Sequence, residues 1–190
     1  MRVIVTGFGP FLENAVNPSD ALARELDGAK LGRLRTFAES PLPVVFGDAA
    51  RRVLARAAKE EADAVLCLGL SARETCLRVE RAAKNRATSL DADARGEVRA
   101  GRPAIEGGPE TLETAIDADA FARALHERGV ASAVSDDAGG YVCNDLYYRL
   151  LHAARAGEGP ARVLFVHVPP KPEARASKAL LEAAAITFAR

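Results

Sequence analysis

The sequence predicts an α/β fold: one three-layer α/β/α domain over residues 1–190, its twisted sheet mixed but mostly parallel, with helices on both faces. Three observations predict it. The runs RVIVT at 2–6, AVLCLG at 64–69 and RVLFVHV at 162–168 have the length and apolar continuity of strands buried on both sides. Stretches of helical period separate them, and strand–helix–strand order imposes right-handed crossovers. A chain of 190 residues suits one substantial core and is short for two full-sized domains. No internal repeat, linker or low-complexity tract interrupts it.

Taken in order, the first strand ends at Gly7, and residues 8–17 are a Gly-, Pro- and Asn-rich loop. Pro18-Ser19 leads into the helical pattern ALARELDG, which stops at Gly28. Residues 33–46 are extended and broken by Pro41 and Pro43, and residues 48–60 are an Ala-, Arg- and Leu-rich helix. The strand at 64–69 comes next, and the alternation Leu77-x-Val79-x-Arg81 predicts another. From Lys84 to Pro109 periodicity fades into small, charged and glycine-rich residues, which predicts a long irregular excursion, often functional in compact domains. Helix 117–128, strand 130–135, a DDAGG turn, helix 142–156, strand 162–168 and a terminal helix complete the chain.

Composition narrows the function classes. With 48% hydrophobic and 27% charged residues, the chain is neither disordered nor membrane-spanning. Lys plus Arg balances Asp plus Glu, so no global field gathers nucleic acid or an anionic membrane. The opening MRVIVTGFGP is a strand and a turn rather than a signal peptide, which predicts a cytoplasmic protein. Three cysteines make no disulfide framework, and the spacing of Cys67 and Cys76 is not that of a zinc site. Each thiol is therefore core filler or chemistry.

In open α/β sheets, ligands bind beyond the carboxyl ends of strands. Cys67, inside AVLCLG, reads as a small buried hydrophobe, and Cys76 as structural. Cys143 differs, because it comes after a strand and the turn Asp136–Gly140 and falls in the first turn of a helix. Free N–H groups and the helix dipole there favour a thiolate, and the same N–H groups could hold an oxyanion. Gly139 and Gly140 would let the backbone approach a ligand. Among the histidines, His126 and His152 sit in amphipathic helices, whereas His167 ends a strand before Pro169-Pro170. A third group should orient a catalytic imidazole, and Glu80 is the best-placed carboxylate, a charge in the strand-like LRVERAA among largely apolar neighbours, with Asp136 and Asp137 competing for that place.

Four ordered segments resemble the pyroglutamyl peptidase I family, also called pyrrolidone-carboxylate peptidases. They are TGFGPF and VNPS within Thr6–Ser19, the VER segment around Glu80, AGGYVCN at Ala138–Asn144 and FVHVPP at Phe165–Pro170. IEGGPETL at 105–112 extends the resemblance over nearly the whole chain.

The resemblance implies a phosphorylase/hydrolase-like version of the predicted architecture and a thiol peptidase that releases N-terminal pyroglutamate. Cys143 corresponds to the nucleophile, His167 to the general base and acid, and Glu80 to the acid that orients the histidine. Phe8, Phe11, Asn17, Leu70, Tyr141 and Val142 correspond to residues that bind the substrate. No cofactor or metal is implied, the partner is a peptide with N-terminal pyroglutamate, and self-association as a dimer or tetramer is expected. Related thiol amidases acting on other small lactams, and silent ligand-binding relatives, are the alternatives. Four departures stand out, one of them the segment 84–108, which matches the family poorly. Leu70 replaces a common Gln, Tyr141 a common Phe, and Leu12-Glu13 a common Gly-Gly.

Overall fold

In the computed structural model, residues 1–11 and 15–189 are described, so Leu12 and Glu13 lie outside the described residues. The strands are β1 (Arg2–Phe8), β2 (Lys30–Leu31), β3 (Leu34–Leu42), β4 (Ala64–Leu70), β5 (Leu77–Glu80), β6 (Ala82–Lys84), β7 (Thr111–Glu113), β8 (Ser132–Ser135) and β9 (Arg162–Val168). The helices are α1 (Pro18–Glu25), α2 (Asp48–Lys59), α3 (Ala118–His126), α4 (Val142–Ala156) and α5 (Ala176–Thr187). No described helix is long and apolar enough to cross a membrane.

The main sheet has seven strands in the order β2-β3-β1-β4-β9-β5-β8. β3, β1, β4 and β9 run parallel to one another in that order, while β5 runs antiparallel to β9 and parallel to β8. The reversal has a plain cause. Only residues 71–76 join β4 to β5, too short a segment for a parallel crossover, so β5 returns in the opposite direction. The last long strand, β9, then fills the place between them. The expected mixed, mostly parallel sheet is thus observed, with β5 and β8 reversed at one edge and the two-residue β2 antiparallel to β3 at the other.

Because side chains alternate across a strand, each strand divides its residues between two cores. Val3, Val5, Leu66, Leu68, Leu77, Val79, Leu164 and Val166 pack with Leu22 of α1, Phe121 of α3 and Leu180 of α5. Ile4, Val65, Cys67, Val163 and Phe165 pack on the other face with Val53 of α2 and Leu146 and Tyr147 of α4. The same parity decides which side chains can meet at the site. Residues 67, 69, 163, 165 and 167 share the α4 face, and so do 78 and 80, whose neighbours Leu77 and Val79 point the other way.

The excursion between β6 and β7 is irregular, as its composition predicts, but it is firmly tied. Asn85 donates from Nδ2 to the carbonyls of Ile105 (2.8 Å) and Gly108 (3.0 Å) and accepts from the Ile105 N–H (2.9 Å). Asn144, buried in α4, brackets the backbone of Lys84 through both its amide atoms, at 2.9 and 2.8 Å. The short β6–β7 ladder that closes this excursion, and the two-residue β2, lack the β-branched alternation that would announce them.

Candidate active site

The site lies beyond the carboxyl ends of β1, β4 and β9, where Phe8, Leu70 and His167 stand at or next to the ends of their strands. Glu80 is fully buried, and a buried carboxylate requires partners. Its Oε1 lies 2.6 Å from His167 Nδ1 and also accepts from Arg78 Nε at 2.7 Å. At 2.6 Å from a carboxylate oxygen, Nδ1 must carry the ring proton, since two acceptors would repel. That assignment leaves Nε2 as the basic nitrogen. Arg78 Nη2 stands 3.4 Å from the same Nδ1, close enough to place its positive charge against the ring. The competing carboxylates are engaged elsewhere: Asp136 pairs with Arg81 and Asp137 with Lys84, each at 2.5 Å.

Cys143 occupies the first turn of α4, as the sequence predicts. The helical ladder begins with Asp145 N–H donating to Tyr141 O (3.1 Å), so the N–H groups of Val142, Cys143 and Asn144 precede it. Gly69 brings the sulfur and the imidazole into one neighbourhood. It is the register partner of His167 on β4–β9, and a Cβ at Gly69 would stand 2.9 Å from Cys143 Sγ and 2.7 Å from the Phe165 ring. A glycine is required where sulfur, ring and backbone converge so closely. The Phe165 and His167 rings themselves lie 4.8 Å apart.

One electrostatic expectation is reversed. Burial pushes the Cys143 thiol up to about 12, and the charge of Glu80 adds to the effect, while Arg78 and the backbone N–H at the helix start pull it down. Desolvation works against the helix start and disfavours the thiolate. A neighbouring base that takes the thiol proton would offset that cost. Cys67 is wholly buried, with its thiol also pushed up to about 12 by burial, which fits core filler. Cys76 is half-buried ahead of β5, and burial raises its thiol too. His126 is exposed at the end of α3, and His152 lies beside Tyr148, their ring centroids 6.4 Å apart.

A cavity of about 160 Å³ opens onto Cys143, lined by Phe8, Phe11, Asn17, Val44, Leu70, Ala72, Tyr141 and Val142. All six residues expected at a substrate pocket are among them. Phe11 stacks on Tyr141 with centroids 6.0 Å apart, and Phe46 meets the same ring edge-on at 5.5 Å. The Tyr141 hydroxyl donates to Ala92 O at 2.7 Å, fastening the aromatic wall to the irregular excursion. Asn17 has a second duty. As the N-cap of α1 it accepts from the Ser19 N–H (3.1 Å) and hydroxyl (2.7 Å) and donates to Gly9 O (3.1 Å).

Several contributors escape sequence reasoning. Arg78 is one, although a spacing of two on a strand puts it on the same face as Glu80. Asp93 is buried and accepts from the N–H groups of Phe46 (3.1 Å), Arg95 (2.8 Å) and Glu97 (3.0 Å), with Ala94 N–H bonded to Val44 O beside the cavity. The Gly139-Gly140 backbone is expected to approach a ligand. Instead Gly140 meets Thr88 of the excursion, whose N–H bonds to Gly140 O at 2.9 Å, and a Cβ there would strike the Thr88 hydroxyl. Among the described residues, no His, Cys, Asp and Glu side chains gather as a metal site.

Comparison with known proteins gives a consistent picture. The sequence model of the pyroglutamyl peptidase family matches residues 1–188. The pyrrolidone-carboxylate peptidase of Pyrococcus furiosus is 34% identical, over 91% of this chain and 83% of its own. That of Pseudomonas fluorescens is 35% identical, over 90% and 79% respectively. Among solved structures, pyroglutamyl peptidase I of Bacillus amyloliquefaciens superposes with a TM-score of 0.92 at 28% identity, covering 100% of this chain and 97% of its own.

Proposed function

The chain belongs to the pyroglutamyl peptidase family, whose members are cysteine peptidases, and from that premise we propose that Cys143, His167 and Glu80 release pyroglutamate from the N-terminus of peptides. The observation that carries the assignment of residues is the 2.6 Å contact between Glu80 and His167, whose register partner Gly69 lies beside the sulfur of Cys143. A flat, neutral lactam suits the aromatic cavity formed by Phe8, Phe11 and Tyr141, with Leu70 and Val142 completing its apolar wall.

In the proposed reaction, the Cys143 thiol passes its proton to Nε2 of His167 as sulfur attacks the carbonyl carbon between pyroglutamate and the next residue. N–H groups at the start of α4 hold the oxyanion. The imidazolium gives its proton to the departing amine as the C–N bond breaks, leaving a thioester on Cys143. Water then loses a proton to Nε2 and attacks the thioester carbonyl, and sulfur leaves and regains that proton. Throughout, Glu80 keeps the ring in its Nδ1–H tautomer and balances the transient imidazolium. Proton transfer of this kind contributes about 10²–10⁴-fold. The three free thiols support a reducing, cytoplasmic setting.

Turnover of matched pyroglutamyl-, prolyl- and glutaminyl-amides tests the reading. Only the pyroglutamyl compound should be cleaved efficiently; cleavage of the glutaminyl amide alone would make the protein a different thiol amidase.

A further inference from the structure

A cation stands beside the imidazole, where the proposed chemistry itself calls only for a thiol, a carboxylate and backbone N–H groups. Arg78 is one-quarter exposed, and it connects the fully buried Glu80 with Glu74 in the loop ahead of β5, at 2.7 and 2.6 Å. Glu80 Oε1 is shared between Arg78 and His167, while its Oε2 has no hydrogen-bond partner among the described residues. Since Nδ1 carries its proton toward Glu80, Arg78 Nη2 at 3.4 Å cannot donate to it. The approach is therefore one of charge against ring rather than a hydrogen bond.

The groups around that ring can be named element by element. Glu80 and Arg78 face it from β5 and Phe165 packs on it from its own strand, while the Cys143 thiol of α4 lies beside Gly69, the register partner of His167. From β4, the titratable group on the same face is the buried thiol of Cys67. Glu74 reaches the ring only through Arg78. Arg78 is the one cation in this set. It acts on two charge states at once: it stabilises the Glu80 anion, and it opposes a positive charge on the imidazole.

We propose that Arg78 is a positioning residue that sets the charge balance of the site, fixing Glu80 on its shared oxygen and keeping His167 available as a base in mildly acidic solution, with Glu74 moderating its effect. The inference rests on the peptidase reading above. In that reading His167 must be neutral to accept the thiol proton, so the acidic limb of the activity profile reports how readily the ring becomes charged.

The test is the pH dependence of kcat/KM on a chromogenic pyroglutamyl amide for the wild type, Arg78→Met, Arg78→Lys and Glu74→Gln. Arg78→Met should move the acidic limb to higher pH by about one pH unit, and Arg78→Lys should restore most of the difference. Glu74→Gln, which leaves the arginine unmoderated, should move the limb to lower pH. Opposite movements of this kind are not produced by loosened packing, which lowers activity equally at every pH. If Arg78→Met lowers activity uniformly with the limb unmoved, the inference fails. Should that variant not fold, Glu74→Gln decides alone, and an unmoved or raised limb overturns the proposal. A wild type inactive on the substrate would instead sink the peptidase reading.

Discussion

Glu80 and His167 meet at 2.6 Å across the antiparallel β5–β9 pair, although they lie 87 positions apart in the chain, and this contact fixes which imidazole nitrogen is basic. The pairing exists because β5 is reversed. On the face shared by even-numbered residues of β5 and odd-numbered residues of β9, a carboxylate and an imidazole arrive side by side. A charge so deeply buried persists only with partners, and here it has an arginine and a histidine.

Glu80→Gln tests that contact directly. The amide can still occupy the space but cannot balance an imidazolium, and it can present an N–H to Nδ1, favouring the wrong tautomer. The expected result is a loss of about 10²-fold or more in kcat with KM little changed, measured on a pyroglutamyl amide.

Asn17 joins folding to substrate binding, because the residue that lines the cavity also caps α1. Asn17→Ala should lower the unfolding free energy by about 1 kcal/mol in urea titration. KM should rise as well, since the Gly9 backbone loses the hydrogen bond that holds it beside Phe8. Asn17→Asp should recover most of the stability, because it keeps the capping oxygen.

Asp93 anchors the irregular excursion to the cavity wall. Burial raises its carboxyl, but the backbone N–H groups of Glu97, Arg95 and Phe46, with the charge of Arg95, outweigh it and hold the group below its ordinary value. A depressed carboxyl stabilises the fold above its unfolded value and loses that contribution as pH falls. Asp93→Ala should therefore cost about 2–3 kcal/mol at neutral pH, with the gap to wild type narrowing below pH about 4. Denaturant titrations at both pH values would measure it.

Cys67 gives the opposite pH dependence. Its thiol moves from 9.0 to about 12, principally through burial, so the folded protein keeps a proton that the unfolded chain releases. Stability from this group is complete below pH 9.0 and declines toward about 12. The slope is about 1.4 kcal/mol per pH unit in that window. Cys67→Ala should show a shallower alkaline decline than wild type while retaining most of its peptidase activity.

Much of the fold and site is legible in the sequence, for physical reasons. Long apolar strands such as AVLCLG and RVLFVHV, and helices with clear period and stops, specify themselves locally, so α4 falls at the expected 142–156. Cys143 and His167 are legible because a helix start and a strand end are places a reader can locate. Glu80 is legible as a charged residue in an apolar strand segment and through the family resemblance, but its contact with His167 is not, because that depends on the reversal of β5, a consequence of a short connection and a late-arriving strand. Arg78 is hidden for the same reason: its value lies in a neighbour on another strand. The acidity of Cys143 cannot be read correctly from the chain, because helix starts are visible in sequence, whereas the packing of Phe165 and Gly69 around the sulfur is not.

In the proposed reaction the sulfur of Cys143 is the attacking atom. Release of pyroglutamate from a chromogenic pyroglutamyl amide by wild type, Cys143→Ala and Cys67→Ala tests it most directly. Activity should vanish in the Cys143 variant and persist in the Cys67 variant. Turnover at the wild-type rate by a folded Cys143→Ala protein would contradict the account.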